Sequence, residues 1–512
     1  MTLIAVASFD AGSAGDGAPV VPSKKSDRSD AFFADPAVRL FEIELSDSAM
    51  ASLRTNPRRH VKGTVREGGQ VFRNVAIHLK GMGSFQPLDE KPSFVIKFNE
   101  FVPGQEYCGM SKLMLNNSVQ DQTYVCELLA TGLLRDAGVP AARVTHGRVT
   151  LNGNDIGLHV AIEAMNKQFL KRHFKKATGN LYDGYLIDVN QRLHQGNGDD
   201  TSQADVRNLF AACMVPDAAQ RFARLSKVLD VDRFVSFAVM EVLINHWDGY
   251  TLKANNYRLY HDPASDKFVF IPYGMDSVFR RLNISLAPPM KSIVSRALFA
   301  TSEGRRLYTD RLHALSTDVF QYSIITNRME KALAKLRAAG IHGAEMIEAE
   351  RQAATMRTRI LFRVGRVADE LAGRSPTPLK FDAAGLGRPE GWRDEYDRGA
   401  PAMDRVSFDG KATLHINSRG RCRASWRTMV YLPPGRYTVE GLARGQGITN
   451  GYASVRISGD TRSLRLTGQT SWQPLQHPFF LEEGGDAELV CELVAYAGEA
   501  WFDLDSLRVR RW

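Results

Sequence analysis

Asn245-His246-Trp247-Asp248-Gly249-Tyr250, then Asn255-Asn256-Tyr257-Arg258-Leu259-Tyr260, then Phe270-Ile271-Pro272-Tyr273-Gly274-Met275-Asp276: the reading of this 512-residue chain turns on these three runs. An Asp at a helix-to-loop exit, an Asn pair before a strand and a second Asp after the next strand form an Asp…Asn…Asp series of hard oxygen donors suited to Mg²⁺. The same order serves phosphoryl transfer, in which one carboxylate orients the acceptor while an amide and another carboxylate hold the metal. A purely structural reading stands beside it. Asp248 then caps a turn, Asn255-Asn256 makes one, and Asp276 is a helix N-cap.

Upstream, short runs with period-two alternation predict a sheet-forming region: Leu40 to Leu45, Val75 to Leu79 and Ser93 to Phe98. A helix is predicted over Tyr124 to Ala137, stopped by Gly138-Val139-Pro140. Asn152-Gly153 predicts a hairpin between strands at 142–151 and 157–163. Beyond residue 164 helices dominate, interrupted by β-like runs at 257–260 and 268–272, and 292–372 is predicted to be almost wholly helical.

A nucleotide held between a strand-rich and a helical lobe needs a cation on its phosphates. Lys80-Gly81-Met82-Gly83-Ser84-Phe85 follows a strand, and its glycines allow backbone N–H groups to approach phosphate oxygens while Lys80 supplies charge. The spacing is neither that of a P-loop nor of a dinucleotide site, and a plain β-turn fits equally. In the strand after Lys91-Pro92, the period places Lys91, Ser93, Val95 and Lys97 on one face and Phe94, Ile96 and Phe98 on the other. Glu127, on an otherwise apolar helix, is suited to pair with such a strand lysine; an exposed helix position is the alternative.

These segments resemble the CotH spore-coat kinase family over about residues 38–372. The resemblance is carried, in order, by Lys80-Gly81-Met82-Gly83-Ser84, Lys91 to Phe98, Leu134-Arg135-Asp136-Ala137-Gly138-Val139-Pro140-Ala141, Gly179-Asn180-Leu181-Tyr182, Asn255 to Tyr260 and Phe270 to Tyr273. It implies an atypical protein-kinase-like fold of bacterial origin that uses ATP with Mg²⁺ or Mn²⁺ to phosphorylate Ser or Thr hydroxyls of a protein substrate. Position by position, it implies that Lys97 or Lys91 contacts the phosphates, steadied by Glu127. Lys80, Gly81 and Ser84 form the phosphate turn, and Glu163 sits near the crossing between lobes. Asp248 is implied as the catalytic loop carboxylate, Asn255 or Asn256 as a metal ligand, and Asp276 as the second metal-binding acid. This sequence departs from the family pattern at Lys80 and Met82, where Arg and Asn are usual, and loses the bidentate geometry of a guanidinium there. Pro92 replaces a Lys and Gly274 an acid, which leaves the site one carboxylate short and opens a pseudokinase reading.

The expected class is therefore α+β. A flexible segment (1–37) precedes a two-lobed domain (38–372), strand-rich to about 163 and helical to 372; a Gly/Ser/Pro linker (373–380) leads into an all-β jelly-roll sandwich (381–512). In the sandwich, Trp426, Trp472 and Trp501 are either core or stacking surfaces for sugar rings, so a carbohydrate or cell-surface partner is one expectation for this domain. Asp503 and Asp505 are too few to define a Ca²⁺ site.

Composition bounds the rest. Hydrophobic residues at 44% and charged residues at 24% match folded globular chains. A net charge of +9 gives a mild positive field, and Lys167 to Lys176 fits a solvated helix face; no nucleic-acid partner is expected. The five cysteines have no zinc spacing, no apolar run is long enough to span a bilayer, and the apolar start lacks a basic n-region. The compartment stays open, with export or envelope association among the options. Two further readings remain beside the kinase: an ATP-using AMP transferase on the same fold, and a non-catalytic envelope or surface protein whose sandwich does the binding.

Overall fold

The computed structural model describes residues 28–199, 201–280, 284–341, 343–373, 378–399, 401–460, 464–482 and 484–512. The first part of the chain runs α1 (Asp30–Ala34), β1 (Arg39–Glu44), α2 (Asp47–Thr55), β2 (Val61–Glu67), β3 (Gln70–Lys80), β4 (Ser93–Lys97), β5 (Lys112–Asn116), α3 (Cys126–Asp136), β6 (Val144–Leu151) and β7 (Asn154–Glu163). Its strands close into a barrel in the order β1-β2-β3-β4-β5-β7-β6, and the parallel pair β1–β6 makes the closure. Alternation fills the interior: Val75, Ile77 and Leu79 of β3 meet Phe94 and Ile96 of β4 inside. Ala76, His78 and Lys80 therefore point outward on the opposite face of β3. Asn152 and Gly153 adopt positive φ in the β6–β7 hairpin, as Asn-Gly favours, and the Asn152 amide bonds both backbone groups of Leu45 at 2.8 and 2.9 Å.

Order begins before Val38, earlier than composition suggests. Phe32 of α1 is buried against Phe41 and Tyr107, so one aromatic anchor holds a segment expected to be flexible. Residues 1–27 lie outside the described residues.

The second part runs α4 (Lys167–His173), β8 (Leu181–Asp183), β9 (His194–Asn197), α5 (Ala204–Cys213), α6 (Ala218–Val228), α7 (Val231–Leu243), α8 (Tyr250–Lys253), β10 (Tyr257–Asp262), β11 (Lys267–Pro272), α9 (Ile293–Phe299), α10 (Ser302–Asp318), α11 (Tyr322–Ala338) and α12 (Ala344–Leu371). A four-stranded sheet, β11-β10-β8-β9, is packed on α7. Helix α3 buries Leu129, Ala130 and Leu133 in this second core although it is strung between two barrel strands, so it links the two parts.

The C-terminal part is β-rich: β12 (Leu386–Gly387), β13 (Arg393–Arg398), β14 (Ala402–Phe408), β15 (Lys411–Ser418), β16 (Cys422–Leu432), β17 (Gly435–Ile457), β18 (Arg465–Gly468), β19 (Gln473–Leu481), β20 (Gly485–Ala495), β21 (Ala497–Asp503) and β22 (Arg508–Arg511). It is a sandwich about one core that includes Trp426 and Leu493. The 23-residue β17 belongs to both layers, pairing with β19, β22 and β21 in its first half and β20 in its second, with register shifts at Gln446/Thr449 where it turns the corner. Of the expected linker, residues 374–377 lie outside the described residues.

An ionic seam joins α12 to the sandwich. The Glu395 carboxylate takes the Arg359 guanidinium and lies 3.6 Å from that of Arg427. Gln352 donates to the Tyr396 carbonyl at 2.7 Å, and Arg366 reaches Asp486 at 2.9 Å. The neighbouring Arg359 and Arg427 charges outweigh burial and hold the Glu395 carboxyl down at about 2. Removing one partner of such a seam strands buried charge. Glu395→Ala is expected to remove about 3 kcal/mol at neutral pH and lower the first calorimetric transition by roughly 6–12 °C; an unchanged trace would show that the seam does not couple the domains.

Candidate active site

Three segments distant in sequence meet where the barrel faces the helical part. Lys80 ends β3, Glu127 lies in the first turn of α3, and Asp276 follows β11. The Lys80 ammonium donates to the Asn116 side-chain oxygen, and its two principal attractive charges are Glu127 and Asp276. Glu127 is buried and accepts from the Met275 amide at 3.0 Å, which ties α3 to the residue before Asp276. Burial raises the Glu127 carboxyl to about 7, and Asp276 adds to the rise while Lys80 opposes it. Burial also raises Asp276, with a further push from Asp121 and relief from Lys80 and Arg280. For Lys80, burial depresses the ammonium against the pull of both acids. One cation thus faces two enclosed carboxylates.

The turn after Lys80 is braced from two sides. Gly81 has φ +104°, and a side chain there would crowd Phe85 and Ser84. Arg58 donates to the carbonyls of Leu79 and Gly81, while the Asn117 amide donates to Ser84 at 3.1 Å and Lys91 at 2.8 Å.

The lysine expected to face Glu127 is not the one found there. Lys97 stands opposite Ala76, four residues along β3 from Lys80, hence roughly 13 Å away; its ion pair, at 3.0 Å, is with Glu100. Lys91 precedes β4 and points instead to α12, bonding the Tyr124 hydroxyl at 2.8 Å and Glu345 at 3.3 Å. Nor is Glu163 open to a ligand. It is buried, with Arg143 at 2.7 Å on one oxygen and Arg172 on the other, and it clamps the end of β7 to α4.

The loop after α7 carries Asp248. It is anchored by Glu241, fully buried, which accepts from the amides of Tyr250 at 2.9 Å and Thr251 at 2.7 Å and lies 3.3 Å from His246. Asp248 is paired with Lys253 at 2.6 Å and receives the Asn256 amide at 3.1 Å. Asn256, at φ +53°, lies so close to Gly274 that a Cβ there would stand 2.9 Å from its side-chain oxygen. This brings Asn256 to the strand exit bearing Asp276. Asn255 faces away, its side-chain oxygen accepting from the Leu186 amide at 3.0 Å. No helix starts at Asp276, so it is not an N-cap.

Asp121 is the residue the sequence reading missed. Its carboxylate accepts from Thr123 at 3.0 Å and Cys126 at 2.8 Å, capping the approach to α3 beside Asp276. An Asp five residues before the first helical position is the signal that marks it. In the sandwich, Trp426 and Trp501 are core: Trp426 donates to the His415 carbonyl at 3.1 Å, and Trp501 is stacked between Phe408 and His415. Asp503 takes Lys411 at 2.9 Å, and Asp505 pairs with Arg388. Among the described residues no three of His, Cys, Asp and Glu form a metal-holding group, and no helix is long and apolar enough to cross a membrane.

Residues 77–352 match the family model described as CotH kinase protein. Among curated proteins, the chain is similar to Invasin CotH3 of Rhizopus delemar, 26% identical over 271 residues, covering 48% of this chain and 44% of that protein. It is also similar to Invasin CotH2 of the same fungus, 27% identical over 261 residues, covering 46% of this chain and 43% of that protein. The matches thus span less than half the length of these relatives. Among solved structures, TmCBM61 in complex with beta-1,4-galactotriose is 15% identical at TM-score 0.20, covering 24% of this chain and 91% of that one. The CBM22-1 xylan-binding domain from Paenibacillus barcinonensis Xyn10C is also 15% identical at TM-score 0.20, covering 27% and 97%.

The raised Glu127 carboxyl has a sign that can be measured. Between its ordinary value of 4.5 and about 7 the folded chain keeps a proton that the unfolded chain has released. Stability therefore falls as pH rises through that window and levels above it, by at most about 3 kcal/mol. Urea unfolding in EDTA at about pH 5 and about pH 7.5 is expected to show a smaller difference for Glu127→Gln than for the wild type. Equal differences would place the titration elsewhere.

Proposed function

The chain belongs to the CotH kinase protein family, and from that premise we propose that it is a metal-dependent phosphotransferase moving the γ-phosphoryl group of ATP to a Ser or Thr hydroxyl of a protein. In this reading the barrel and the helical part are the two lobes of a protein-kinase-like domain. The observation that carries it is the enclosed set of Lys80, Glu127 and Asp276, drawn from three segments and left with more negative than positive charge.

Each residue has a task suited to its placement. Lys80 binds phosphate oxygens as a point charge, and Glu127 keeps the ammonium aimed into the cleft. Asp276 and the Asn256 side-chain oxygen are the donors that would hold a divalent ion. One acid and one amide suffice for Mg²⁺ or Mn²⁺, whose other positions are filled by phosphate and water, and the raised Asp276 and Glu127 carboxyls are the state that a nearby cation relieves. Such an ion, when bound, would supply charge neutralisation to the phosphates. Asp248, held by Asn256 and Lys253, orients the acceptor hydroxyl and takes up its proton, and the buried Glu241–His246 pair keeps that loop in place.

The test is transfer from ATP labelled at the γ or the α position, with Mg²⁺ or Mn²⁺, onto casein and onto the chain itself. We expect γ-label on protein, a loss of at least about 100-fold in Asp276→Ala and Lys80→Ala, and a change within about threefold in Lys97→Ala. α-Label would mark an AMP transferase, and no label on either acceptor with either metal would sink the enzymatic reading.

For the sandwich, a saccharide partner is favoured by one surface feature. Phe480 and Trp512, 63% and 77% exposed, border a groove of about 690 Å³ with Arg436, an apolar face with a polar rim of the kind that stacks on sugar rings. Titration with β-1,4-linked oligosaccharides is expected to shift tryptophan fluorescence in the wild type and not in Trp512→Ala. An equal shift in the variant would place the sugar elsewhere.

A further inference from the structure

Arg363 of α12 is 2% exposed, and each of its three hydrogen bonds goes to a backbone carbonyl: Nη2 to Val242 at 2.8 Å, Nε to Leu243 at 3.3 Å and Nη1 to Ile284 at 2.5 Å. Among the described residues no carboxylate accepts from it. Burial lowers the guanidinium to about 10 while Glu370, Tyr308 and Asp486 oppose the shift, so the group stays charged at neutral pH. A charge enclosed with only carbonyls on it is costly and asks for a reason.

The carbonyls it takes supply one. Val242 and Leu243 close α7, whose last carbonyls lack partners within the helix, and a cation there also meets the negative end of the helix dipole. The next carbonyl, that of Ile244, is taken by the Phe279 amide at 2.9 Å. Asn245 then turns the chain at φ +56°, and Asp248 follows three residues on. Ile284 lies eight residues beyond Asp276. One planar fork therefore touches both the segment that leads into Asp248 and the segment that leads out of Asp276. Glu241 already fixes the downstream end of the Asp248 loop through the amides of Tyr250 and Thr251, and Arg363 supplies the upstream hold. Arg363 is presented from a helix that is itself anchored: Arg359 and Arg366, four residues before it and three after, lie along the same stripe of α12 and bind Glu395 and Asp486 of the sandwich.

We propose that Arg363 is a positioning residue of the phosphotransferase site, whose fork sets the Asp248 loop against the Asp276 segment. The proposal deepens the phosphotransferase reading and rests on it for the task of Asp248, whereas the hold on the loop is independent of any activity. Lysine keeps the charge but is a point donor on a flexible stem, so it cannot span three carbonyls that lie on two segments. A cap that only stabilised α7 would, when lost, weaken the fold and leave the catalytic rate unchanged; a positioning residue, when lost, loosens the loop and slows the transfer.

The experiment uses the full chain and two variants, Arg363→Lys and Arg363→Gln, with Leu333→Ala on the buried face of α11 as a core-packing control. Hydrogen exchange without nucleotide reads the hold on the loop. Amides 244–251 are expected to exchange at least about tenfold faster in both Arg363 variants, with those of α10 and α11 within about twofold. Transfer of γ-label to casein reads the consequence. There kcat is expected to fall at least about tenfold while KM for ATP stays within about threefold, since Lys80 and Glu127 are held by the barrel and α3. Leu333→Ala is expected to leave both the exchange of 244–251 and kcat within about threefold. Unchanged loop exchange in the Arg363 variants, faster exchange with kcat unaltered, an equal effect of Leu333→Ala, or collapse of the whole fold in both Arg363 variants overturns the proposal. A wild type that transfers no label, with the loop still loosened in the Arg363 variants, refutes the phosphotransferase reading alone. An active wild type whose loop exchange and kcat are indifferent to Arg363 refutes the positioning role alone.

Discussion

A single ammonium placed against two enclosed carboxylates is the constraint around which the CotH domain is arranged. Lys80, Glu127 and Asp276 come from a barrel strand, a helix and a strand exit, and none of the three is tolerable in that setting alone. Their mutual presence fixes the height of α3 above the sheet, because the Glu127 carboxylate also holds the Met275 amide. It fixes the register of β3 as well, since only its outward residues reach the helical part. The surplus of negative charge that remains is of the sign that a divalent ion would offset.

How far the sequence alone reaches is clear from particular residues. Asp276, Glu127 and Asp248 were legible because acids at a strand exit, on an apolar helix and at a helix exit are each unusual locally. Lys80 was legible as a charge beside a glycine turn after a strand, but its partnership with Glu127 and Asp276 was not. Lys97 satisfied the same strand periodicity, and only barrel pairing reveals that Lys97 lies opposite Ala76. The Asn255-Asn256 pair could not be divided from sequence, since the positive φ of Asn256 turns consecutive side chains to different surroundings. Glu163 sat where a lobe crossing was expected, yet two arginines from either side, Arg143 and Arg172, consume it. The mixed α and β character and the β-rich C-terminal part were legible from texture. The closed barrel and the shared strand β17 were not, because strand pairing over long separations leaves no local mark.

The sandwich is joined to the CotH domain by a seam of charge. Glu395, Arg359, Arg427, Arg366 and Asp486 form a seam whose members are mostly enclosed, and hydrogen bonds from Gln352 and Arg351 reach the Tyr396 carbonyl beside it. Directional contacts of this kind fix orientation more strongly than they add affinity.

The parallel pairing of β1 with β6 has a consequence for how the chain is made. β1 reaches its second neighbour only when Val149 and Leu151 have left the ribosome, more than a hundred residues after β1 itself. Until then Arg39 to Ile43 presents an open backbone edge, with Phe41 and Ile43 awaiting their core. Barrel closure is thus a late event of high sequence separation, paid in loop entropy before it is rewarded. The nascent β1 strand is accordingly a segment in need of chaperone shelter during translation.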